Sequence, residues 1–278
     1  MLKAVIKSLT IVCCLGLLIF ILVKVEQINS RVNLLSRPSK QFSLSQIENR
    51  FPFNPEWEVK TRPEMVEFMN MMSQQQFRWL GKGFQASAFE SLDGEYVIKF
   101  FHQSRLRDKT MKSNPLAFVL KNKDFKDELH ARKQHREEIF LSSKQCCEEL
   151  SDETGIVFAH LNRTSNKIKG IKLIDAYGNA HRVRGDEVSF VLQRKANYVV
   201  PVFSKLMAEN KIDDAKARIE QIFSLLMTCA EKGFLDGDHA LIRNNNLGFV
   251  ADRAIYIDTG HIVKHDKVNM YERMKYEF

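Results

Sequence analysis

Glycine-containing turns divide residues 77–101 into three short apolar segments, which restricts this part of the chain to an antiparallel sheet. The segment is FRWLGKGFQASAFESLDGEYVIKFF. The Asp93-Gly94 pair is a strong hairpin signal, because aspartate and glycine both tolerate the positive φ of a tight two-residue turn. We therefore predict three antiparallel strands, at Phe77–Leu80, Ser87–Ser91 and Glu95–Phe101.

The remaining sequence mixes helical and extended patterns, which predicts an α+β fold. Helices are predicted where apolar residues recur with a helical period, at 64–73, 125–150, 199–208 and 213–232. Further strands are predicted at 156–161, 171–175, 188–193 and 254–257. Residues 63–278 would form the folded domain, and residues 26–62, which contain three of the prolines, would form a tether.

The N-terminus differs in kind, because the sixteen residues Ser8–Val23 carry no charge. As a helix, Ala4–Val25 would span about 33 Å, enough to cross a bilayer. A cleaved signal peptide is the rival hypothesis, but no A-x-A-like site follows Val23. We predict a single uncleaved transmembrane anchor over residues 1–25. The basic residues that follow it favour a cytoplasmic C-terminal domain.

The formal net charge of +8 favours anionic partners such as a nucleotide, phospholipid headgroups or nucleic acid. No nucleic-acid-binding motif accompanies the charge, so nucleic acid is the least favoured of the three. Residues 102–136 hold ten Lys or Arg against four Asp or Glu. They form either a solvated surface or a contact with anionic lipid. The five cysteines show no CxxC pair, so buried, inert thiols are predicted rather than a zinc site.

The turn between the first two strands and the lysine of the third are candidates for phosphate binding. Glycine at Gly81 and Gly83 would let backbone amides approach phosphate oxygens closely. Lys99 lies on the third strand, where its ammonium could reach the same phosphates. The lysine motif of a P-loop is absent, so this is not a Walker A site.

A second polar segment follows the helix at 213–232. Asp236 and Asp238 lie two residues apart, and Asn246 precedes Asp258-Thr259-Gly260 by twelve residues. A short hairpin between Asn246 and Asp258 would bring both side chains to one magnesium ion, which prefers a few oxygen ligands together with phosphate oxygens. The alternative is that the asparagines form a turn and Asp258 a cap.

Taken together, these motifs over residues 77–262 resemble the protein-kinase-like superfamily, which includes aminoglycoside and lipopolysaccharide-core kinases. The resemblance implies an N-terminal lobe (63–193), a short C-terminal lobe (194–278) and ATP with Mg²⁺ as ligands. The implied roles are a glycine-rich loop at Gly81 and Gly83, a phosphate-binding Lys99, its glutamate partner Glu138 or Glu137, an adenine-binding hinge at 191–196 including Gln193, a catalytic aspartate at Asp238 or Asp236, and metal ligands Asn246 and Asp258.

The chain also departs from the family pattern. Asn246 lies eight residues beyond Asp238, a longer spacing than in the family, and only 18 residues follow Gly260. A peptide-binding platform does not fit in that length, so a small-molecule, lipid or glycan hydroxyl is the predicted phosphate acceptor. Two alternatives stay open: a catalytically inactive, membrane-tethered pseudokinase that binds a protein partner, and an unrelated α+β binding module.

Overall fold

The computed structural model describes residues 42–103, 123–237 and 246–265, and it shows an α+β fold built on a mixed sheet of seven strands. The strand order is β4-β7-β3-β2-β1-β5-β6, and every neighbouring pair is antiparallel except β1 and β5. The strands are β1 (Gln76–Lys82), β2 (Ala86–Ser91), β3 (Tyr96–Phe101), β4 (Ile156–His160), β5 (Gly170–Ile174), β6 (Ala180–Arg184) and β7 (Phe190–Arg194).

The elements outside this sheet are helices and two small sheets. Strand β8 (Asn197–Tyr198) pairs with β10 (Leu247–Val250), which also pairs with β11 (Arg253–Tyr256). Strand β9 (Phe234–Asp236) pairs with β12 (Ile262–Lys264). The helices are α1 (Leu44–Ile47), α2 (Pro63–Gln74), α3 (Lys123–Glu149), α4 (Ser151–Thr154), α5 (Val199–Ala208) and α6 (Ile212–Glu231).

The predicted hairpin and most predicted helices are confirmed to within one or two residues. Strand β3 has partly exposed side chains at Tyr96 and Lys99 and buried ones at its other four positions, and Gly94 adopts a φ of 78° in the turn before it. That positive φ explains the Asp-Gly pair at this point. Helix α6 ends before Gly233, whose φ of 86° is the left-handed conformation typical of a glycine that ends a helix.

One strand of the main sheet was not predicted from the sequence. Strand β6 has the sequence AHRVR, in which only Val183 is buried, so its alternation is too weak to recognise as a strand. It forms a hairpin with β5, closed by Asp175, which accepts hydrogen bonds from the amides of Tyr177 and Asn179. The hairpin joins the sheet through the parallel pairing of β5 with β1.

Residues 42–62 belong to the folded unit, although the sequence predicts a tether there. Phe42 is buried against Phe89, and Trp57 packs edge-on against Phe140 of α3. The buried amide of Asn49 donates to the Leu161 carbonyl. The tether prediction therefore fails from residue 42 onward, because aromatic residues spaced among the prolines find sites in the core.

The predicted anchor at Ala4–Val25 lies outside the described residues. Within the ranges that the structure describes, none of the helices combines the length and the apolar character needed to cross a bilayer.

Candidate functional site

A cleft of about 340 Å³ lies between the first strands of the main sheet and the loop that follows β11. Its volume falls within the range of small-molecule sites. The strands contribute one wall and floor, and the Ile257–Gly260 loop contributes the opposite side. Residues from both of the sequence motifs line it, among them Gly81, Gly83, Gln85, Ala88, Lys99, Ser143, Val191, Tyr198, Ile257, Asp258, Thr259 and Gly260.

Lys99 reaches across this cleft from β3. Its Nζ donates a hydrogen bond of 2.6 Å to the carbonyl oxygen of Ile257, which is 158 residues away in sequence. Burial lowers the pKa of Lys99 to about 8, and the nearby Asp258 carboxylate opposes this shift. A desolvated ammonium with one carbonyl partner has donor capacity left for an anion, because each lysine carries three N–H groups.

Asp258 and Asn246 lie beside each other at the open end of the β10–β11 hairpin. The Asn246 carbonyl accepts hydrogen bonds from the amides of Ile257 (2.7 Å) and Asp258 (3.4 Å). Asn246 is buried, whereas the Asp258 side chain is exposed at the cleft, where its Oδ1 accepts from the Gly260 amide at 3.3 Å. The hairpin thus joins the backbones of the two predicted metal ligands, and of these two only Asp258 lines the cleft.

The glycine turn between β1 and β2 covers the cleft from the strand side. A Cβ added at Gly81 would meet nothing within 4 Å, and one added at Gly83 would meet only the Ala86 carbonyl at 3.7 Å. These glycines therefore leave open space rather than relieve a clash. The turn contacts the opposite loop through Gln85, whose Nε2 lies 3.2 Å from Nε2 of His261. The sequence does not indicate this contact, because Gln85 and His261 lie outside the glycine and Asp-Thr-Gly motifs that they join.

The predicted glutamate partner of Lys99 is not found on α3. Glu138 is exposed, and Glu137 is engaged elsewhere, because its Oε2 accepts from the Trp57 indole nitrogen at 2.7 Å. The α3 residue that lines the cleft is Ser143, whose hydroxyl donates to the carbonyl of Ile139 on its own helix. The predicted pairing is therefore wrong. The residue of α3 that lines the cleft with Lys99 is Ser143, five residues beyond Glu138.

Gln193 is buried, and its side chain is committed to backbone groups, which corrects its prediction as a ligand-binding residue. Its Nε2 donates to the carbonyls of Thr154 (2.6 Å) and Tyr256 (2.9 Å). The residue after β7 that lines the cleft is Tyr198. Strand β8 holds Tyr198 against β10 at Gly248, where a Cβ would lie 2.7 Å from the Asn197 carbonyl. Only glycine permits that approach.

Of the two candidate catalytic aspartates, Asp238 lies outside the described residues. Asp236 is partly buried at the end of β9, opposite Ile262 of β12. It is not among the residues that line the cleft, and its carboxylate lies close enough to Cys146 to contribute to the raised pKa of that thiol. Asp236 therefore lies near Cys146 in the C-terminal part of α3 and does not line the cleft.

The described cysteines behave as the sequence predicts. Cys146, Cys147 and Cys229 are buried and free, and burial raises the pKa of each thiol. No group of three or more His, Cys, Asp or Glu side chains in the described ranges could hold a metal ion. Magnesium does not require such a group, since it takes one or two carboxylates with water and phosphate oxygens. Of the two predicted ligands, Asp258 lines the cleft and Asn246 does not.

No protein-family model, curated protein or solved structure matches this chain.

Proposed function

We propose that the cleft binds a nucleoside triphosphate with magnesium, in the manner of a protein-kinase-like phosphotransferase. The observation that carries this proposal is that Lys99 and Asp258 face one cleft of ligand size. They come from sequence segments far apart, and the glycine turn lies over both. The order β1-β2-β3-β7-β4 within the sheet supports the same interpretation. So do the short link and the two helices that follow β7 in the chain.

The residues present define what each group would do with this ligand. The Lys99 ammonium would bind phosphate oxygens, and the amides of the glycine turn would surround them from above. Asp258, with Asn246 as the predicted second ligand, would hold a magnesium ion, which would supply positive charge beside the phosphates. Asp238 would orient the acceptor hydroxyl. The predicted anchor at 1–25 would keep the cleft at a membrane, where a lipid, glycan or small-molecule hydroxyl is the proposed acceptor.

The alternative is an inactive pseudokinase that binds a nucleotide or a protein partner without transfer. One observation favours it: neither of the two predicted glutamates pairs with Lys99, since Glu138 is exposed and Glu137 is bound to Trp57. Active protein kinases require that ion pair to position the lysine. In this chain the Ile257 carbonyl holds the lysine instead.

The test is calorimetric titration of ATP into the full-length chain, with and without magnesium. We expect magnesium-dependent binding, and a loss of at least about tenfold in affinity for Asp258→Asn, because one of the few protein ligands of the metal loses its charge. Asp252→Asn is the matched control, since Asp252 is an exposed aspartate in the β10–β11 turn outside the cleft. No binding at about 1 mM ATP would refute the proposal.

Transfer is tested separately from binding. The Asp238→Asn protein should bind ATP like the wild type but lose any magnesium-dependent formation of ADP, because the residue is proposed to act on the acceptor and not on the nucleotide. Binding without ADP formation in the wild-type chain, measured with a membrane extract present as an acceptor source, would favour the pseudokinase.

A further inference from the structure

The β5–β6 hairpin carries like charges on the face that it exposes. In the antiparallel register Lys172 lies directly opposite Arg182, and both side chains are exposed. Arg184 lies two residues further along β6 and is exposed on the same face. Like charges directly opposite each other destabilise a pair of strands. A bound anion would relieve this repulsion.

A groove of about 660 Å³ opens beside these charges, at the outer edge of the seven-stranded sheet. Three arginines line it, of which Arg163 precedes β5 and Arg182 and Arg184 lie on β6. The polar residues 164–166 also line it, and none of its described lining residues belongs to the Lys99 cleft. The volume is within the range of small-molecule sites. The groove is therefore a second candidate site, separate from the cleft and rich in cations.

The two carboxylates that line the groove are already engaged. Oδ1 of Asp186 accepts three hydrogen bonds, from the Thr164 hydroxyl and from two backbone amides of the same loop. Oε1 of Glu187 lies 3.0 Å from Nη1 of Arg184 and 3.9 Å from Nη2 of Arg163. One carboxylate thus holds the loop, and the other is shared between two arginines. Neither of them pairs with the third arginine of the groove.

Arg182 is this third arginine, and it forms no hydrogen bond or ion pair with the residues that the structure describes. Its side chain lies over the backbone at Gly170, where an added Cβ would be 2.8 Å from Nε and 3.6 Å from Cζ. The nearby Lys169 and Lys172 are exposed, and neither has an ion-pair partner in the described ranges. The absence of a side chain at Gly170 therefore gives an uncompensated guanidinium room to lie along the wall of the groove.

We propose that this groove binds a phosphate monoester, which is either the phosphorylated headgroup of a membrane lipid or a soluble phosphate ester. Guanidinium groups donate paired, charge-assisted hydrogen bonds to phosphate oxygens, and arginine clusters are a recurring means of phosphate recognition. A monoester carries about two negative charges at neutral pH. This charge matches an unpaired arginine and two unpaired lysines better than the single charge of a phosphodiester does. Arg182 would bind the phosphate oxygens, and the phosphate would offset the repulsion between Arg182 and Lys172.

Three water-soluble probes test the ligand class and distinguish its two sources. Dibutanoyl phosphatidic acid carries a phosphate monoester on a lipid, glycerol monophosphate carries the same group without acyl chains, and dibutanoyl phosphatidylglycerol is a phosphodiester. In calorimetric titrations of the full-length chain without magnesium, we expect the phosphatidic acid to bind at least about tenfold more tightly than the phosphatidylglycerol.

The third probe identifies the source. Equal affinities for phosphatidic acid and glycerol monophosphate would assign the groove to soluble esters, and weaker binding of glycerol monophosphate would assign it to the lipid headgroup. Equal binding of monoester and diester, or no binding of either monoester at about 1 mM, would overturn the proposal.

Two variants locate the ligand in the groove. Arg182→Gln should weaken binding of the phosphatidic acid at least about tenfold, because it removes a charged donor to the phosphate. Arg253→Gln is the matched control, since it makes the same change of charge at an exposed arginine outside the groove. Gly170→Ala retains every charge, but its Cβ would displace the Arg182 side chain, so we expect a loss of several-fold. An affinity unchanged in both groove variants, or lowered equally in Arg253→Gln, would overturn the proposal.

The Lys99→Met protein separates the groove from the cleft. Its affinity for the phosphatidic acid should equal that of the wild type, because Lys99 lies outside the groove. A loss in Lys99→Met as large as that in Arg182→Gln would place the phosphate in the cleft and contradict the proposal. Failure of ATP to bind with magnesium would refute the proposed function alone, since the groove is tested without nucleotide or metal.

Discussion

The floor of the cleft and the α3 side of the cleft differ in how closely they follow the expected pattern. On the floor, Lys99 lies on β3, as predicted, and reaches the Asp258 loop. On the α3 side, the expected carboxylates of Glu137 and Glu138 are absent and Ser143 takes their place. The floor thus carries a lysine without an ion-pair partner from α3. The nearby Asp258 carboxylate offsets only part of the cost of burying this ammonium, so the phosphates of a ligand would add further balancing negative charge.

The largest expected effect concerns the floor. Lys99→Met should lower the affinity for ATP with magnesium by at least about thirtyfold, because the phosphates lose a desolvated cation that water cannot replace. Lys205→Met is the matched control, since Lys205 is an exposed lysine of α5 that lines neither the cleft nor the β5–β6 groove. Calorimetric titration measures both. Equal affinities for the two variants would mean that the nucleotide binds elsewhere. The contrast between the floor and the α3 side of the cleft would then have no bearing on nucleotide binding.

The pH dependence of stability tests whether Lys99 is paired with a carboxylate of α3. The folded-state pKa of Lys99 is about 8, below its ordinary value of 10.5, so between these values the unfolded chain binds more protons. Stability therefore rises with pH across that window, as the cost of burying the ammonium is lost. The Lys99→Met protein lacks this dependence. We expect its stability advantage over the wild type to shrink by about 1–2 kcal/mol between about pH 7 and pH 10.

Denaturant unfolding of both proteins at several pH values provides this difference, and other titrating groups cancel in it. A difference that does not change with pH would mean that Lys99 already has a negative partner, as the unrevised prediction of a glutamate pair requires. Added magnesium and ATP should abolish the dependence, because bound phosphates raise the pKa of the lysine.

Substitutions of Glu137 and Glu138 should differ in their effect on stability and not in their effect on nucleotide binding. Glu137→Gln weakens a charge-assisted bond to the Trp57 indole, so we expect a loss of about 1 kcal/mol in the free energy of unfolding. Glu138→Gln changes an exposed side chain and should alter stability by less than about 0.5 kcal/mol. Thermal unfolding tests both. A loss of nucleotide binding in Glu138→Gln alone would restore its predicted role beside Lys99.

The smallest effect is expected in the glycine turn. Gly81→Ala adds a methyl group into open space, so stability should stay within about 0.5 kcal/mol while nucleotide affinity falls a few-fold through crowding of the phosphates. Gly185→Ala is the contrasting variant, because its Cβ would lie 2.2 Å from Cγ2 of Ile168 and should destabilise the fold by more than 1 kcal/mol. A stability loss in Gly81→Ala similar to that of Gly185→Ala would assign Gly81 a structural role.

The parts of the fold that the sequence predicts well are those specified by local chemistry. The Asp93-Gly94 turn sets the register of β2 and β3, and the hairpin before Asp258 sets its distance from Asn246. What failed depends on packing over long distances. The packing of Phe140 against Trp57 determines which side of α3 faces the cleft. The sequence of this charged helix contains no local pattern that predicts the rotation of the helix about its axis.

The position of Gln193 illustrates the same limit. A glutamine near the end of a predicted strand is an ordinary candidate for ligand binding, and the sequence does not show that two carbonyls from distant segments will occupy its amide. The strand β6 was missed for the opposite reason, because its single buried residue, Val183, leaves too little alternation to detect.

The buried amide of Gln193 also determines how the molecule can open. It donates to the Thr154 carbonyl before β4 and to the Tyr256 carbonyl at the end of β11. One side chain therefore joins the large sheet to the β10–β11 hairpin that precedes Asp258. Amide hydrogen exchange at β7 and β11 should therefore occur in a single cooperative event, while the glycine turn exchanges faster and independently. Entry of a ligand would then require movement of the turn, with the rest of the cleft already in place.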